Sequence, residues 1–217
     1  MPNRCLAVLS LLLVLCSTVL VTACEKEKPK IMLFEQYYYG MPFKDVQTLS
    51  KATYCQDTFD SLCRPNPVTF FRESWYQRFL FKRERLVAVQ LINRKPEQAR
   101  KLIDTWLDTG FRFMPVSITS GGKQLDLFAA IKSTGKEGAR KAVYNFTRAT
   151  AADLEMVYLY LDLQGKENAL NSFGNLSSIF NKGPRDLVGI EERVNDKEIV
   201  VSFIAPIADW QDRGSPR

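Results

Sequence analysis

The chain has 217 residues, of which 46% are hydrophobic and 25% charged, the balance of a folded protein with a sizeable core. It contains no histidine, which excludes Ser-His-Asp and Cys-His catalysis and the usual zinc ligand sets. The net charge of +6 is modest, and it is unevenly placed along the chain.

The first part of the chain is an apolar leader that is followed by a cysteine. Arg4 gives its polar beginning one positive charge, and the hydrophobic run that follows has the length of a signal peptide. Residues 6–23 also approach the roughly 20 apolar residues of a transmembrane anchor, so length alone does not separate the two. The leader ends on two small residues, Thr22 and Ala23, and the next residue is Cys24.

This ending resembles a bacterial lipobox, the motif that closes lipoprotein signal peptides. Val21 takes its aliphatic position, the dipeptide 22–23 its small positions, and Cys24 its lipidated thiol. The resemblance implies that residues 1–23 are a signal peptide that is removed, and that residues 24–30 are a lipid-anchored tether of charged residues. Ordinary secretion with cleavage nearby and an uncleaved anchor are the alternatives.

The same resemblance implies a location in the bacterial cell envelope, with the domain facing the periplasm. Glu25 follows the cysteine. An aspartate at that position is the usual retention signal of the inner membrane in enteric bacteria, so Glu25 favours the outer membrane over the inner one. The membrane itself, contacted through the lipidated Cys24, is therefore the first predicted partner.

Cys55 and Cys63 are the cysteines that remain in the mature chain once the leader is removed and Cys24 is acylated. One cysteine pair in an exported chain indicates a disulfide. A loop this short contributes about 2–3 kcal/mol in the loop-entropy account. Two free thiols or a redox pair are the alternatives, but redox pairs usually have two intervening residues and this pair has seven. We predict a structural bridge that clamps the loop after the first helix.

Hydrophobic periodicity predicts alternating helices and strand pairs over residues 31–213. In chain order we expect a helix of about ten residues from Pro42, strands at 68–72, 75–81 and 86–92, a helix from Pro96 that Gly110 ends, a strand pair at 111–118 and 125–131, a helix at 136–148, a strand at 154–163, a helix at 166–181, and a strand pair at 187–190 and 198–204.

These elements predict an α+β fold with a mostly antiparallel sheet and about four helices packed on it. We expect a single domain over residues 31–213, and the alternative is a division into subdomains 34–118 and 119–213. The string from Ser120 to Lys123 lacks the spacing of a phosphate-binding loop and is interpreted as a turn. The last residues of the chain are polar and are expected to fray.

The first half of this plan carries a second resemblance. Gly40 and Met41 precede a short helix, Trp75 and Tyr76 open a strand, and residues 86–89 begin its return strand. Residues 34–93 are thus similar to the small outer-membrane lipoproteins of the SmpA/OmlA (BamE-like) type, whose core is a helix followed by an antiparallel meander. The resemblance implies a role in assembly or scaffolding at the outer membrane.

Nine basic and three acidic side chains lie in residues 72–101, which give this segment a charge of +6. A solvated face is one interpretation. The other is a patch that contacts anionic lipid headgroups, lipopolysaccharide or acidic envelope proteins. Nucleic acid is not an expected partner outside the cytoplasm. The residues considered for the anionic contact are Arg72, Arg78, Lys82, Arg83, Arg85, Arg94 and Lys95.

Aromatic and acidic side chains supply two further hypotheses. Tyr37, Tyr38 and Tyr39 are interpreted as core packing or, with Tyr158 and Tyr160, as the lining of a pocket for a small lipid, glycan or peptide. A carboxylate hydrolase would use the following residues: Asp186, Glu191 and Glu192.

Consecutive side chains of a strand point to opposite faces, which argues against joint action of the two glutamates of that hydrolase. We therefore predict no catalytic residue, no cofactor and no metal site. The function predicted from the sequence is that of a non-enzymatic, membrane-anchored scaffold or protein-interaction module.

Overall fold

The computed structural model describes residues 29–56, 60–97, 113–150 and 155–214. Its elements in chain order are β1 (Met32–Phe34), β2 (Tyr37–Tyr38), α1 (Phe43–Ser50), β3 (Thr53–Tyr54), β4 (Ser61–Cys63), β5 (Val68–Phe70), β6 (Glu73–Lys82), β7 (Arg85–Asn93), β8 (Phe113–Ser120), β9 (Lys123–Asp126), α2 (Leu127–Ala149), β10 (Glu155–Asp162), α3 (Glu167–Leu170), α4 (Leu176–Lys182), β11 (Gly189–Asn195), β12 (Ile199–Ile204) and α5 (Pro206–Gly214).

One large antiparallel sheet organises the described residues from Ile31 onward, which belong to one compact unit. Its strands follow the order β3-β4-β6-β7-β12-β11-β10-β8-β9, and β5 pairs with the beginning of β6. Strand β12 pairs with β7, which places Val201 opposite Leu91 and joins strands β3–β7 to strands β8–β12 in one sheet. The predicted α+β class with a mostly antiparallel sheet is confirmed.

Strand β6 shows how the sheet separates two faces. Trp75 and Phe79 are fully buried on the first face. Tyr37 from the β1–β2 hairpin and Val46 from α1 belong to the same core. Tyr76 lies on the second face, where 49% of its surface is exposed. The alternation follows from the strand itself, because successive side chains point to opposite sides.

A second, smaller core lies on the other side of the sheet, over β8 and β10. Phe128, Ile179 and Ile207, from α2, α4 and α5 respectively, pack with Val116 and Leu161 of the sheet. Among the described residues, this core leaves the part of the second face formed by β6, β7, β12 and β11 open to solvent as grooves. The grooves are therefore bounded by a rigid sheet on one side.

The hairpin between β6 and β7 turns on two residues in the left-handed region. Arg83 has φ 51° and Glu84 has φ 58°. Two-residue hairpin loops favour this geometry because its twist matches that of the strands, and glycine or asparagine adopts it most readily. The hairpin forms where it was predicted, although its turn residues carry bulky side chains.

Replacing Glu84 by glycine should therefore stabilise the protein. A left-handed backbone costs an ordinary residue about 1 kcal/mol, and glycine avoids most of that cost. We expect the free energy of unfolding to rise by about 0.5–1 kcal/mol in urea denaturation. Arg85→Gly is the control, since it places glycine in the adjoining strand and should lower stability. A loss of stability in E84G would contradict the proposed turn strain.

Two predicted elements differ from the structure around Asp126. The strand predicted at 125–131 ends at this residue, and residues 127–131 are the first turns of α2. Asp126 caps that helix, because its carboxylate accepts a hydrogen bond from the amide of Ala129 at 2.8 Å. Its other oxygen accepts from the amide of Leu176 at 2.8 Å. Helix α2 then continues through Gly135, a non-helical residue with φ 68°, into the predicted helix at 136–148.

The helix predicted at 166–181 is divided into α3 and α4. Asn175 begins α4 with a capping box, in which its side chain and that of Ser178 each accept a backbone hydrogen bond. No element was predicted after residue 204, but residues 206–214 form α5, in which Ile207 is fully buried. The last residues, 215–217, lie outside the described residues. Of the helix predicted from Pro96, only residues 96 and 97 are described, and both are helical; Cys24 and most of the tether also lie outside the described residues.

Candidate functional site

The predicted disulfide is present at one edge of the sheet. Cys55 and Cys63 are bonded, with their Cα atoms 5.0 Å apart. Cys55 directly follows β3 and Cys63 ends β4, which pairs with both β3 and β6. The bridge therefore ties the segment after α1 to the sheet. Its second cysteine also borders a groove on the open face.

The predicted tyrosine group is mainly core. Tyr37 is 1% exposed and its ring centroid lies 4.7 Å from that of Phe79. Tyr160 belongs to the same buried cluster, and Tyr38 and Tyr158 pack against it. The packing of these four tyrosines matches the core interpretation of the sequence, not an exposed aromatic platform.

Tyr39 differs from its neighbours because its hydroxyl reaches the C-terminal helix. The hydroxyl donates to the Asp212 carboxylate at 3.0 Å. Arg185 donates to both oxygens of the same carboxylate, at 2.8 and 2.9 Å. The three side chains hold α5 against the β1–β2 hairpin. Tyr39 and Asp212 line one side of an 820 Å³ cavity beside the β6–β7 turn.

Burial raises the pKa of Tyr39 above its ordinary value, and the hydrogen bond to Asp212 and the charges of Asp212 and Asp209 raise it further, while Arg185 lowers it. The folded-state pKa thus exceeds the unfolded one. The contribution of protonated Tyr39 to the stability of the fold is fully present below the unfolded pKa of about 10. It is lost as pH rises through the folded pKa.

Tyr39→Phe should therefore remove a tyrosine that ionises late. In an alkaline titration followed by near-ultraviolet absorbance, the difference between the parent protein and Y39F should develop only above the ordinary tyrosine range near pH 10. Tyr54→Phe is the control, since Tyr54 is 61% exposed. A Tyr39 difference curve that coincides with that of Tyr54 would contradict the burial and the carboxylate contact.

The predicted basic segment does not form one patch. Lys82, Arg83 and Arg85 lie at the β6–β7 turn and line the 820 Å³ cavity together with Asp209 and Asp212. Arg78 and Arg94 border a different groove. Arg72 in the β5–β6 turn and Lys95 after β7 are exposed elsewhere, and the last two basic residues of the segment, Arg100 and Lys101, lie outside the described residues. The strand length separates these groups, because residues rise about 3.3 Å each along a strand.

Four arginines meet at a groove of about 650 Å³ on the second face, here named the arginine groove. They come from distant parts of the chain: Arg64 after β4, Arg78 in β6, Arg94 after β7 and Arg193 in β11. Sequence analysis missed Arg64 and Arg193, because both lie outside the basic segment. The pairing of β4 with β6 brings Arg64 to the groove, and the pairing of β7 with β12 and of β12 with β11 brings Arg193.

The contacts of these arginines show what the groove can hold. The Arg94 guanidinium lies 5.4 Å from the ring centroid of Tyr76. Arg64 donates to the Gln77 amide oxygen at 3.4 Å. Arg193 forms ion pairs with Glu155 at 3.7 Å and Glu191 at 3.4 Å.

Glu155 and Glu198 also line the arginine groove, so arginines exceed carboxylates there by two. Guanidinium groups bind carboxylates and phosphates through paired hydrogen bonds. The groove therefore has the chemistry of an anion site.

A smaller groove of about 340 Å³, here named the apolar groove, adjoins it beneath α5. Ala88, Leu159 and Ile204 from three strands line it, together with Phe180 and Trp210. The charged residues Glu191, Asp209 and Arg213 also line it, so the groove is mainly, not wholly, apolar. Trp210 is 48% exposed, and its ring nitrogen donates to the Asn181 side chain at 3.0 Å. Its apolar ring surface is thus held in place at the rim of the groove.

The acidic residues considered for a hydrolase are not brought together. Glu192 is 1% exposed on the first face, where Tyr160 donates to it at 3.3 Å. Glu191 lies on the second face beside Arg193. Asp186 pairs with Lys166 at 2.6 Å.

Across the described ranges, no group of three histidine, cysteine or acidic residues could hold a metal ion. No helix within those ranges is long and apolar enough to cross a membrane. Comparison with protein-family models, with curated proteins and with solved structures finds no match for this chain.

Proposed function

We propose that the chain is a lipid-anchored envelope protein without catalytic activity, whose domain binds an anionic envelope component through the arginine groove. The observation that carries the binding role is the convergence of Arg64, Arg78, Arg94 and Arg193 from four separate segments at one open groove. Charge gathered by long-range strand pairing on a rigid face is typical of a recognition surface.

The anchoring role is supported by three features of the chain. The lipobox-like ending at Cys24 is followed by a charged spacer at residues 25–30. The Cys55–Cys63 disulfide suits an oxidising compartment outside the cytoplasm. Several acyl chains on Cys24 would hold the protein stably, because each buried methylene contributes about 0.8 kcal/mol. The anchor then holds the domain in the periplasm. The outer membrane is the favoured site of attachment.

The experiment separates charge-dependent binding from the anchor by using soluble probes. The full chain, extracted from membranes in a nonionic detergent, is titrated with dextran sulfate and with neutral dextran. Only the sulfated polymer should bind. Its affinity should fall as salt is raised, because screening shortens the Debye length from about 30 Å at 0.01 M to about 10 Å at 0.1 M.

A matched pair of variants locates the binding. Arg64→Gln/Arg94→Gln should weaken dextran sulfate binding by about 30-fold, from about 1 kcal/mol for each cation that is removed. Lys136→Gln/Lys141→Gln removes the same charge from exposed positions of α2 and should have little effect. Equal losses in the two variants, or equal binding of charged and neutral dextran, would contradict the proposed anion site.

A further inference from the structure

The arginine groove and the apolar groove lie side by side on the same face of the sheet. Ala88 lines the apolar groove, whereas Gln90 and Ile92 line the arginine groove. These residues alternate along β7, so their side chains share one face. On β12 the paired residues repeat the order, with Ile204 in one groove and Val200 in the other. Four residues of strand separate the two grooves by about 13 Å.

A polar pair marks the border between the grooves. The Gln90 side chain donates to the Ser202 hydroxyl at 3.1 Å. Glu191, opposite Ser202 in the register, lines the apolar groove and pairs with Arg193 of the arginine groove at 3.4 Å. The open face thus changes from charged to apolar along the strands, with a hydrogen-bonded row at the transition. A ligand that covers the face needs a charged part and an apolar part in that order.

The arginine groove suits only the charged part of such a ligand, and the apolar groove only its apolar part. A purely apolar ligand would make no contact with the guanidinium groups, and a small anion would leave Trp210 and the apolar groove exposed. The volumes of about 650 and 340 Å³ are those of small-molecule sites. Extended contact along the sheet, at a spacing of about 13 Å, suits an elongated amphiphile.

The backbone of the sheet favours an acyl chain over a peptide. Strands β7, β12, β11 and β10 are all internal, so their amides and carbonyls are engaged in the sheet ladder. A peptide in the apolar groove would bring backbone polar groups that this floor cannot pair. An acyl chain brings none. The arginines in turn suit a phosphate headgroup, which accepts paired guanidinium hydrogen bonds.

We propose that the open face binds one molecule of a phosphate-bearing acyl lipid, with its phosphate in the arginine groove and its acyl chain in the apolar groove against Trp210. This inference rests on the proposed anion-binding function and names the ligand class of that site. The domain at the end of its tether then holds a single anionic lipid on a folded face.

The test uses the full chain in nonionic detergent and native mass spectrometry, which counts the molecules that each protein retains. Three probes separate the contributions of the two grooves: phosphatidylglycerol carries phosphate and acyl chains, phosphatidylcholine carries the chains with a neutral headgroup, and glycerophosphoglycerol carries the phosphate alone. We expect one phosphatidylglycerol per protein. We expect a preference of about 100-fold over glycerophosphoglycerol, since each buried methylene contributes about fourfold. Phosphatidylcholine should bind about 10-fold or more weakly, because it lacks the net charge.

Two sets of variants test the two grooves separately. Arg64→Gln/Arg94→Gln should weaken phosphatidylglycerol binding by about 30-fold, and Lys136→Gln/Lys141→Gln should not. Trp210→Ala removes an exposed rim side chain and should weaken lipid binding by about 10-fold while dextran sulfate binding is unchanged. Leu159→Gln is the second apolar-groove variant. Thermal unfolding of each variant shows that the fold persists.

The outcomes distinguish this inference from the function on which it rests. Dextran sulfate binding with equal affinity for phosphatidylglycerol and glycerophosphoglycerol would retain the anion site and overturn the acyl groove. A ladder of several lipids without saturation, or unchanged lipid binding in both Trp210→Ala and Leu159→Gln, would also overturn it. Tight binding of poly-glutamate that displaces the lipid would assign the face to an acidic polypeptide instead. Failure of dextran sulfate itself to bind would overturn the proposed function.

Discussion

Replacing Cys24 by alanine should abolish incorporation of labelled fatty acid into the protein. The thiol is the atom to which the lipobox resemblance assigns the lipid, and alanine has no nucleophile to accept it. The precursor should also keep its leader and remain larger than the parent protein by residues 1–23. Metabolic labelling followed by gel analysis measures both effects.

The chain supplies matched controls for this experiment in its own leader. Cys5 and Cys16 are the other cysteines before the tether, and both lie in the segment that the lipobox resemblance predicts to be removed. Cys5→Ala and Cys16→Ala should therefore label and mature as the parent protein does. Labelling that persists in C24A, or that disappears in C16A, would place the lipid elsewhere and remove the basis for the proposed anchor.

Replacing Phe79 by alanine should produce the largest loss of stability of any change considered. Phe79 is fully buried in the first-face core and contacts the ring of Tyr37. Truncation of a buried phenylalanine costs about 3–5 kcal/mol, through lost burial and the cavity that remains. This is a large fraction of the about 5–15 kcal/mol that stabilises a typical domain. Urea denaturation should show a lower midpoint with a similar slope.

Tyr76→Thr is the control for the assignment of faces. Tyr76 lies in the same strand but is half exposed on the second face, so its replacement by another strand-forming residue should cost less than about 1 kcal/mol. The same change should reduce anion binding, because Tyr76 lies under Arg94. Comparable losses of stability in F79A and Y76T would show that the two faces are not distinguished as the structure has them.

Side-chain alternation predicted β6, β7, β10 and β12 well, because this signal is local. Strands β3 and β4 were not predicted, and β11 spans Gly189–Asn195 where a strand was expected at 187–190. In β6 the buried Trp75 and Phe79 alternate with Tyr76 and Arg78, and the turn at residues 83–84 follows directly. The partner strand β7 is adjacent in the chain, so its pairing needed no long-range information. The disulfide was predictable for a related reason, since the leader leaves Cys55 and Cys63 as the remaining pair.

The wrong helix and strand boundaries arise where the periodicity of apolar residues is ambiguous or where helix-start signals were overlooked. The run at residues 125–131 is apolar enough for a strand or for a buried helix, and periodicity does not separate the two. Asp126 caps this run at its N-terminus, which stabilises the helix over a strand. Helix α5 was missed although Pro206 at its first position and Asp209 in its first turn are typical helix-start signals.

The candidate site was only half predictable. Charge density along the chain identified Arg78 and Arg94, but it also included the turn residues Lys82 and Arg83, which lie at the other end of the hairpin. Arg193 joins the groove through the register of β11 with β12, a pairing between elements that the sequence does not order in space. Sequence patterns identify charged segments, whereas strand register decides which charges share a face.

The mass of the N-terminal peptide of the membrane-extracted protein tests the central claim, that the chain is a lipid-anchored envelope protein, most directly. After extraction in detergent and digestion with trypsin, we expect a first peptide that begins at Cys24 and is heavier than its sequence by the mass of acyl chains. Dextran sulfate binding by the same preparation would then link the anchored form to the arginine groove. An unmodified Cys24, or peptides from an intact Met1–Ala23 leader, would contradict the claim.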